Sequence, residues 1–167
     1  MDFGTAIIAL MMSAIAILPF ILVSRRKKNE EKRLLQSLQR LASQHSCAIS
    51  HYECIRDFIV GIDEASNRLF YYKKTKDSEI ARQLDLAGIR SCKVVNLGRS
   101  GEHKGIGKLE LSFTPIAKDA PPVVWGFYDA EESLQLNSEL QAANKWAKLV
   151  NERLAGKARP LAHAGVE

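Results

Sequence analysis

Residues 58–74 read FIVGIDEASNRLFYYKK. Phe58, Val60 and Ile62 alternate along the chain, and apolar residues at a period of two mark a strand with a covered face. Asp63 to Asn67 then supply a polar run of turn-forming residue types, after which Leu69 to Lys73 resume an apolar, aromatic stretch. The segment therefore predicts an antiparallel hairpin. The same rhythm repeats on both sides. A weaker strand is expected near Ile49 to Glu53, and Leu84 and Leu86 close a run at Ala87-Gly88. Ile89, Cys92, Val94 and Val95 form another run up to Gly98, followed by Leu109, Leu111 and Phe113. Val123, Val124, Trp125, Phe127 and Tyr128 follow Pro121-Pro122. About seven short strands with no room for crossover helices exclude a parallel α/β architecture.

The chain then changes period. Leu136, Leu140, Ala143, Ala147, Val150 and Leu154 step by four and three, one face of a helix that Trp146 and Leu149 broaden. Asp129 followed by Glu132 predicts a capping box at its start, and Gly156 a stop. A helix of this kind is not stable alone in water, so its stripe is expected to cover an opening in the sheet.

The order of these elements, with the strings GIDEASNRLFYYKK, QLDLAGIRSCKVVN, KLELSFTP and VVWGFYDAEES through NKWAKLVNERL, resembles a bacterial pleckstrin-homology-like (PH-like) domain over roughly Cys47 to Ala155. More narrowly, it is similar to single-pass bacterial membrane proteins carrying such a domain. The resemblance implies an α+β fold: a seven-stranded antiparallel bent sheet or barrel capped by a carboxyl-terminal helix. It also implies a binding or scaffolding module without catalysis. Phosphoinositide-binding members use a basic loop between the first two strands, whereas the turns here at Arg56-Asp57 and Asp63-Glu64 are mixed or acidic.

Before the β-rich region lies FGTAIIALMMSAIAILPFILV, residues 3–23, without a charge. As a helix it would rise about 31 Å, the thickness of a bilayer's hydrocarbon core. A cleaved secretory signal begins with cations and ends at a small-residue site. Here Asp2 precedes the run and Arg25, Arg26, Lys27 and Lys28 follow it, which predicts a retained single-pass anchor. Flanking cations stay in the cytoplasm, so the expected arrangement is an inner-membrane protein with its amino terminus outside and its domain in the cytoplasm. Three cysteines without framework spacing, Cys47, Cys54 and Cys92, suit that reducing compartment. Ala6, Ala9, Ser13 and Ala16 form a small-residue stripe on which two copies could pair.

The net charge of +5 has one source. Between Ser24 and Arg40 there are seven cations against two anions, while from Leu41 onward 17 cations nearly balance 16 anions. A nucleic-acid partner loses its support. Residues 24–46 are expected to form a basic helical connector whose Arg25, Arg26, Lys27, Lys28, Lys32 and Arg33 lie against anionic lipid. Leu34, Leu38, Leu41 and His45 give it one narrow apolar stripe, suited to a spacer or to a short coiled-coil seam in a homodimer. Residues 156–167 are expected to be a disordered tail.

No catalytic group, cofactor or metal is selected. The loop from Gly98 to Lys108 has four glycines and the cations Arg99, Lys104 and Lys108 beside His103, yet it matches neither the P-loop nor the dinucleotide spacing. It is kept as a possible ligand or headgroup loop. His45, Cys47, His51 and Cys54 crowd four potential zinc ligands into ten residues, but not as two separated pairs that could surround an ion. Phe70, Tyr71, Tyr72, Trp125, Phe127 and Trp146 are assigned to packing. Function is thus expected to be a membrane-anchored cytoplasmic module that binds a protein or peptide, using an exposed sheet edge or the groove beside the terminal helix. An anionic-headgroup sensor is the alternative; a small enzyme or zinc module ranks below both.

Overall fold

The computed structural model describes residues 3–75, 78–98, 105–132, 136 and 138–158, and for 3–23 and 157–158 the backbone alone. Helix α1 (Phe3–Gln44) leads into seven antiparallel strands: β1 (His51–Ile55), β2 (Phe58–Asp63), β3 (Arg68–Lys74), β4 (Glu79–Asp85), β5 (Ile89–Gly98), β6 (Ile106–Pro115) and β7 (Val123–Asp129). Helix α2 (Glu139–Ala158) closes the fold. The α+β class and the seven strands stand as expected.

One continuous bent sheet or barrel does not. The strands form two sheets, β1-β2-β3-β4 and β5-β6-β7, with no ladder between β4 and β5. A turn at Leu86–Gly88 separates them: the Asp85 carboxylate accepts the Ala87 N–H at 2.8 Å, and the Leu86 N–H donates to the Asn67 carbonyl at 3.0 Å. That corner buries Leu86 and carries the chain from one sheet to the other. The sheets enclose an aromatic core. Phe58, Tyr71, Phe113, Trp125 and Phe127 sit with neighbouring ring centroids 4.9 to 5.5 Å apart, in tilted and edge-to-face arrangements that suit ring quadrupoles.

Every residue of β2 is buried, so the four-stranded sheet is covered on both faces at this strand. Its inner face meets the core; its outer face presents Ile59, Phe70 and Tyr72 to Leu34, Leu38, Ala42 and Cys47. The leucine stripe of α1 therefore packs on the chain's own sheet, and the carboxyl-terminal part of the connector belongs to the folded unit. Burying a leucine is worth about 1.5–3 kcal/mol, enough for two such residues to hold a short helix segment in place. Gly61 permits the approach. A Cβ there would lie 2.7 Å from Leu38 Cδ2, 3.1 Å from Ile49 Cγ2 and 3.3 Å from the His51 carbonyl oxygen.

Helix α2 lies against both sheets. Glu53 on β1 accepts from Trp146 Nε1 at 3.1 Å and Lys145 Nζ at 3.0 Å, while Asn151 bonds to β5. The helix begins at Glu139, not behind the expected capping box. Asp129 is engaged elsewhere: its carboxylate accepts from Lys108 Nζ at 2.9 Å and from the Glu131 N–H at 3.0 Å, holding a turn at the end of β7. Glu139, 1% exposed, pairs instead with Arg56 at 3.6 Å. Nor does the helix stop at Gly156; it continues to Ala158.

Candidate functional site

The ends of a sheet expose unpaired N–H and C=O groups, and proteins cover them or use them. In the three-stranded sheet the edges are β5 and β7. Side chains from outside the sheet cap each edge in part. On β5, Asn151 Oδ1 accepts the Cys92 N–H at 2.9 Å, and Asn151 Nδ2 donates to the Cys92 carbonyl at 2.7 Å. The same amide group donates to the Ala147 carbonyl one turn back, at 2.8 Å, which fixes its rotamer. Asn151 thus does for Cys92 what a neighbouring strand would do.

Because both backbone groups of Cys92 face away from β6, alternation turns those of Val94 and Asn96 the same way. Among the described residues no hydrogen bond reaches this edge beyond Cys92. Val94 and Val95 are half-buried, Asn96 is exposed and Leu97 is 47% exposed. Beyond Cys92, β5 thus runs past α2 with its outward N–H and C=O groups unbonded among the described residues. Sequence reasoning named this kind of place but not Asn151, whose one signal was a polar residue between Val150 and Leu154 on an otherwise apolar helix face.

The other expected site residues fall elsewhere. Arg25, Arg26, Lys27, Lys28, Lys32 and Arg33 are all exposed on α1, before its docked part. Lys108 is exposed but paired with Asp129, whose carboxyl is held below the usual range by the Glu131 N–H and the Lys108 ammonium. Arg99, His103 and Lys104 lie outside the described residues, as do the expected tail from 159 on and the side chains of Ala6, Ala9, Ser13 and Ala16. Among the described residues no helix is long and apolar enough to cross a membrane; the side chains of 3–23, on which the anchor expectation falls, are outside them.

The four potential zinc ligands are kept apart. Cys47 Sγ lies 3.3 Å from Ser66 Oγ, His45 stands beside Phe70, His51 stacks on Trp146 at 5.8 Å, and Cys54 faces α1. Among the described residues no three His, Cys, Asp or Glu side chains converge as a metal would require. Burial raises the Cys54 thiol to about 11 and the Cys92 thiol to about 12, so neither is a ready nucleophile at neutral pH. In comparison with known proteins, the chain matches no family model, no curated protein and no solved structure.

Proposed function

We propose that the chain is a membrane-anchored, PH-like binding module that holds its domain at the cytoplasmic face of the inner membrane and recognises an extended segment of a protein partner by strand addition. The observation that carries this reading is the β5 edge, capped at Cys92 by Asn151 and, among the described residues, without a hydrogen bond from Val94 onward. Main-chain hydrogen bonds along such an edge give affinity, and alternate side-chain positions give specificity. Seven antiparallel strands and a final helix laid across two sheets support the PH-like likeness. The uncharged run 3–23 followed by exposed cations supports the anchor and its direction. The headgroup reading has less behind it, since Lys108 is committed to Asp129.

Two experiments bear on it. Alkaline carbonate washing should leave the full chain in the membrane pellet, and its release would remove the anchor. A photoreactive amino acid placed at Asn96 should crosslink to a discrete protein in intact cells. Val94→Pro should abolish that product without unfolding the chain, because the lost N–H faces the open edge and not β6. Crosslinking that survives Val94→Pro would sink strand addition.

A further inference from the structure

Leu38 of α1 lies over Gly61, and just past the end of the helix the Ala48 N–H donates to the Asp63 carboxylate at 3.1 Å while Cys47 meets Ser66. β2 therefore runs alongside α1 in the same direction, and its Arg56-Asp57 end points back toward Val23. Leu38 stands about 22 Å beyond Val23 on the helix, and Asp57 is four residues short of Gly61, about 13 Å along a strand. The Asp57 turn thus lies about 9 Å from the end of the uncharged run, just above the lipid headgroups when that run spans a bilayer.

The second sheet shares this polarity. Lys73 pairs with Asp57 and, across the sheets, with Glu132 just past β7. Lys108 opposes Asp129 at the end of β7, and Ile106 opposes Gly98, so β5 ends on the Asp57 side. Its start lies at the other end, where the Leu86 N–H donates to the Asn67 carbonyl at 3.0 Å. β5 runs toward the bilayer and α2 away from it, from Glu139 beside Arg56 to Arg153 beside Glu64. Asn151 caps the far half of the β5 edge at Cys92. The near half holds Val94 and Asn96, whose N–H and C=O groups turn outward without a bond among the described residues.

An edge this short binds weakly. At the modest net worth of a hydrogen bond in water, two N–H and two C=O groups give a dissociation constant on the order of millimolar, before the cost of ordering the segment. A dissolved partner would leave such an edge mostly empty, whereas one held at the same height by its own membrane span presents its segment at an effective concentration of about millimolar. A second copy does not fit. Two β5 strands pair antiparallel about an axis perpendicular to them, and because β5 runs from the far end to the near end, that axis would turn one anchor away from the bilayer. Building on the strand-addition reading, we infer that the partner is a different integral membrane protein, and that the added strand is its extended cytoplasmic segment directly following a membrane span. Antiparallel pairing, the more stable kind, makes this segment run away from the bilayer, so its span has the same N-outside sense as the uncharged run here. The segment begins within roughly five residues of its span, the number that covers the height of the edge. Val95 and Leu97, the latter 47% exposed, share the outer face, and an apolar side chain of the added strand packs beside them.

Main-chain pairing does not depend on sequence, so a designed probe suffices: a leucine-rich membrane helix followed by Lys-Lys and an alternating Val-Thr segment. The full chain, nitrogen-15 labelled, shares nanodiscs with this probe, and hydrogen exchange is followed at the Val94 and Asn96 amides. The anchored probe should slow both by at least about tenfold, at a concentration where the same segment without its helix has no effect. Val94→Pro should remove the protection at Asn96 with an unchanged thermal midpoint. A probe whose segment precedes its helix should protect less. Amides that neither the anchored nor the free segment protects overturn strand addition, and this inference with it. Equal protection by the free segment leaves strand addition standing and overturns the membrane partner. Stronger protection by the segment that precedes its helix overturns the sense of the span. Protection in nanodiscs holding two copies of the chain and no probe makes a second copy the occupant and overturns the assignment.

Discussion

A single methyl group at position 61 tests how closely α1 sits on its sheet. Leu38, completely buried, is the first side chain such a methyl would meet, and the His51 backbone stands behind it. Overpacking of this kind costs about 1–3 kcal/mol. Gly61→Ala should lower the thermal midpoint, whereas Gly126→Ala, with open space around it, should not. Asp63 offers a second handle. Burial alone would raise its carboxyl, but the Ser66 hydroxyl and the N–H groups of Ala48, Ser66 and Ala65 outweigh burial and hold it below the ordinary value. Asp129 is depressed as well. A carboxyl whose folded pKa lies below its unfolded one adds stability that is complete above about pH 4 and is lost as pH falls through the folded value. Denaturant midpoints should therefore drop on acidification from neutral to about pH 3, and Asp63→Asn should start lower and fall less. An unchanged acid limb in Asp63→Asn would place the effect elsewhere. Neither residue could be singled out in advance. Gly61 drew no reading and Asp63 was read only as part of a polar turn, because Gly61 matters through Leu38 and Asp63 in part through Ala48, partners distant in sequence.

The strands were legible because alternation is a local consequence of burying one face, and β6 and β7 announce themselves by it, while β3 shows as an unbroken apolar run. β2 carried more information than alternation alone uses. Ile59 lies between Phe58 and Val60, and an unbroken apolar run signals cover on both faces. The stripe of Leu34, Leu38 and Leu41 was equally visible, but a stripe does not say what covers it. Its partner within this chain is the outer face of the first sheet. The start of α2 was misplaced for a related reason: Asp129 and Glu132 have the spacing of a capping box, and Lys108, contributed by β6, draws Asp129 into a strand-end turn instead. A domain boundary at Cys47 would thus strip Ile59, Phe70 and Tyr72 of their cover. A chain of residues 24–167 should run as a stable monomer in size-exclusion chromatography, while residues 47–167 should aggregate or unfold. Within the longer chain, Leu38→Ala should cost about 2–5 kcal/mol. Indifference of the shorter chain to loss of α1 would show the packing to be dispensable.

Continuity of α1 from Phe3 to Gln44, together with its docking on the first sheet, makes the proposed anchor and the domain one lever. The direction of that lever follows from side-chain neighbours. Cys47, just past the end of α1, meets Ser66 in the β2–β3 turn, whereas Cys54, one residue before the end of β1, feels the charges of Glu31 and Lys27. The β2–β3 turn therefore lies far from residue 23, and the Arg56 and Lys74 ends of the hairpins lie near it. From Val23 to Gln44 the helix rises about 32 Å, but to Arg33 only about 15 Å. With the full chain in nanodiscs, a donor fluorophore at Lys74 should be quenched by bilayer-surface acceptors more strongly than one at Asn67. A Gly-Gly insertion after Asn29, which breaks the helix where nothing packs on it, should bring the two values together without lowering the thermal midpoint. Equal quenching at both positions in the uninterrupted chain would mean that the domain swings freely. The open β5 edge would then face no fixed direction, and a partner would have to be found by affinity alone and not by placement.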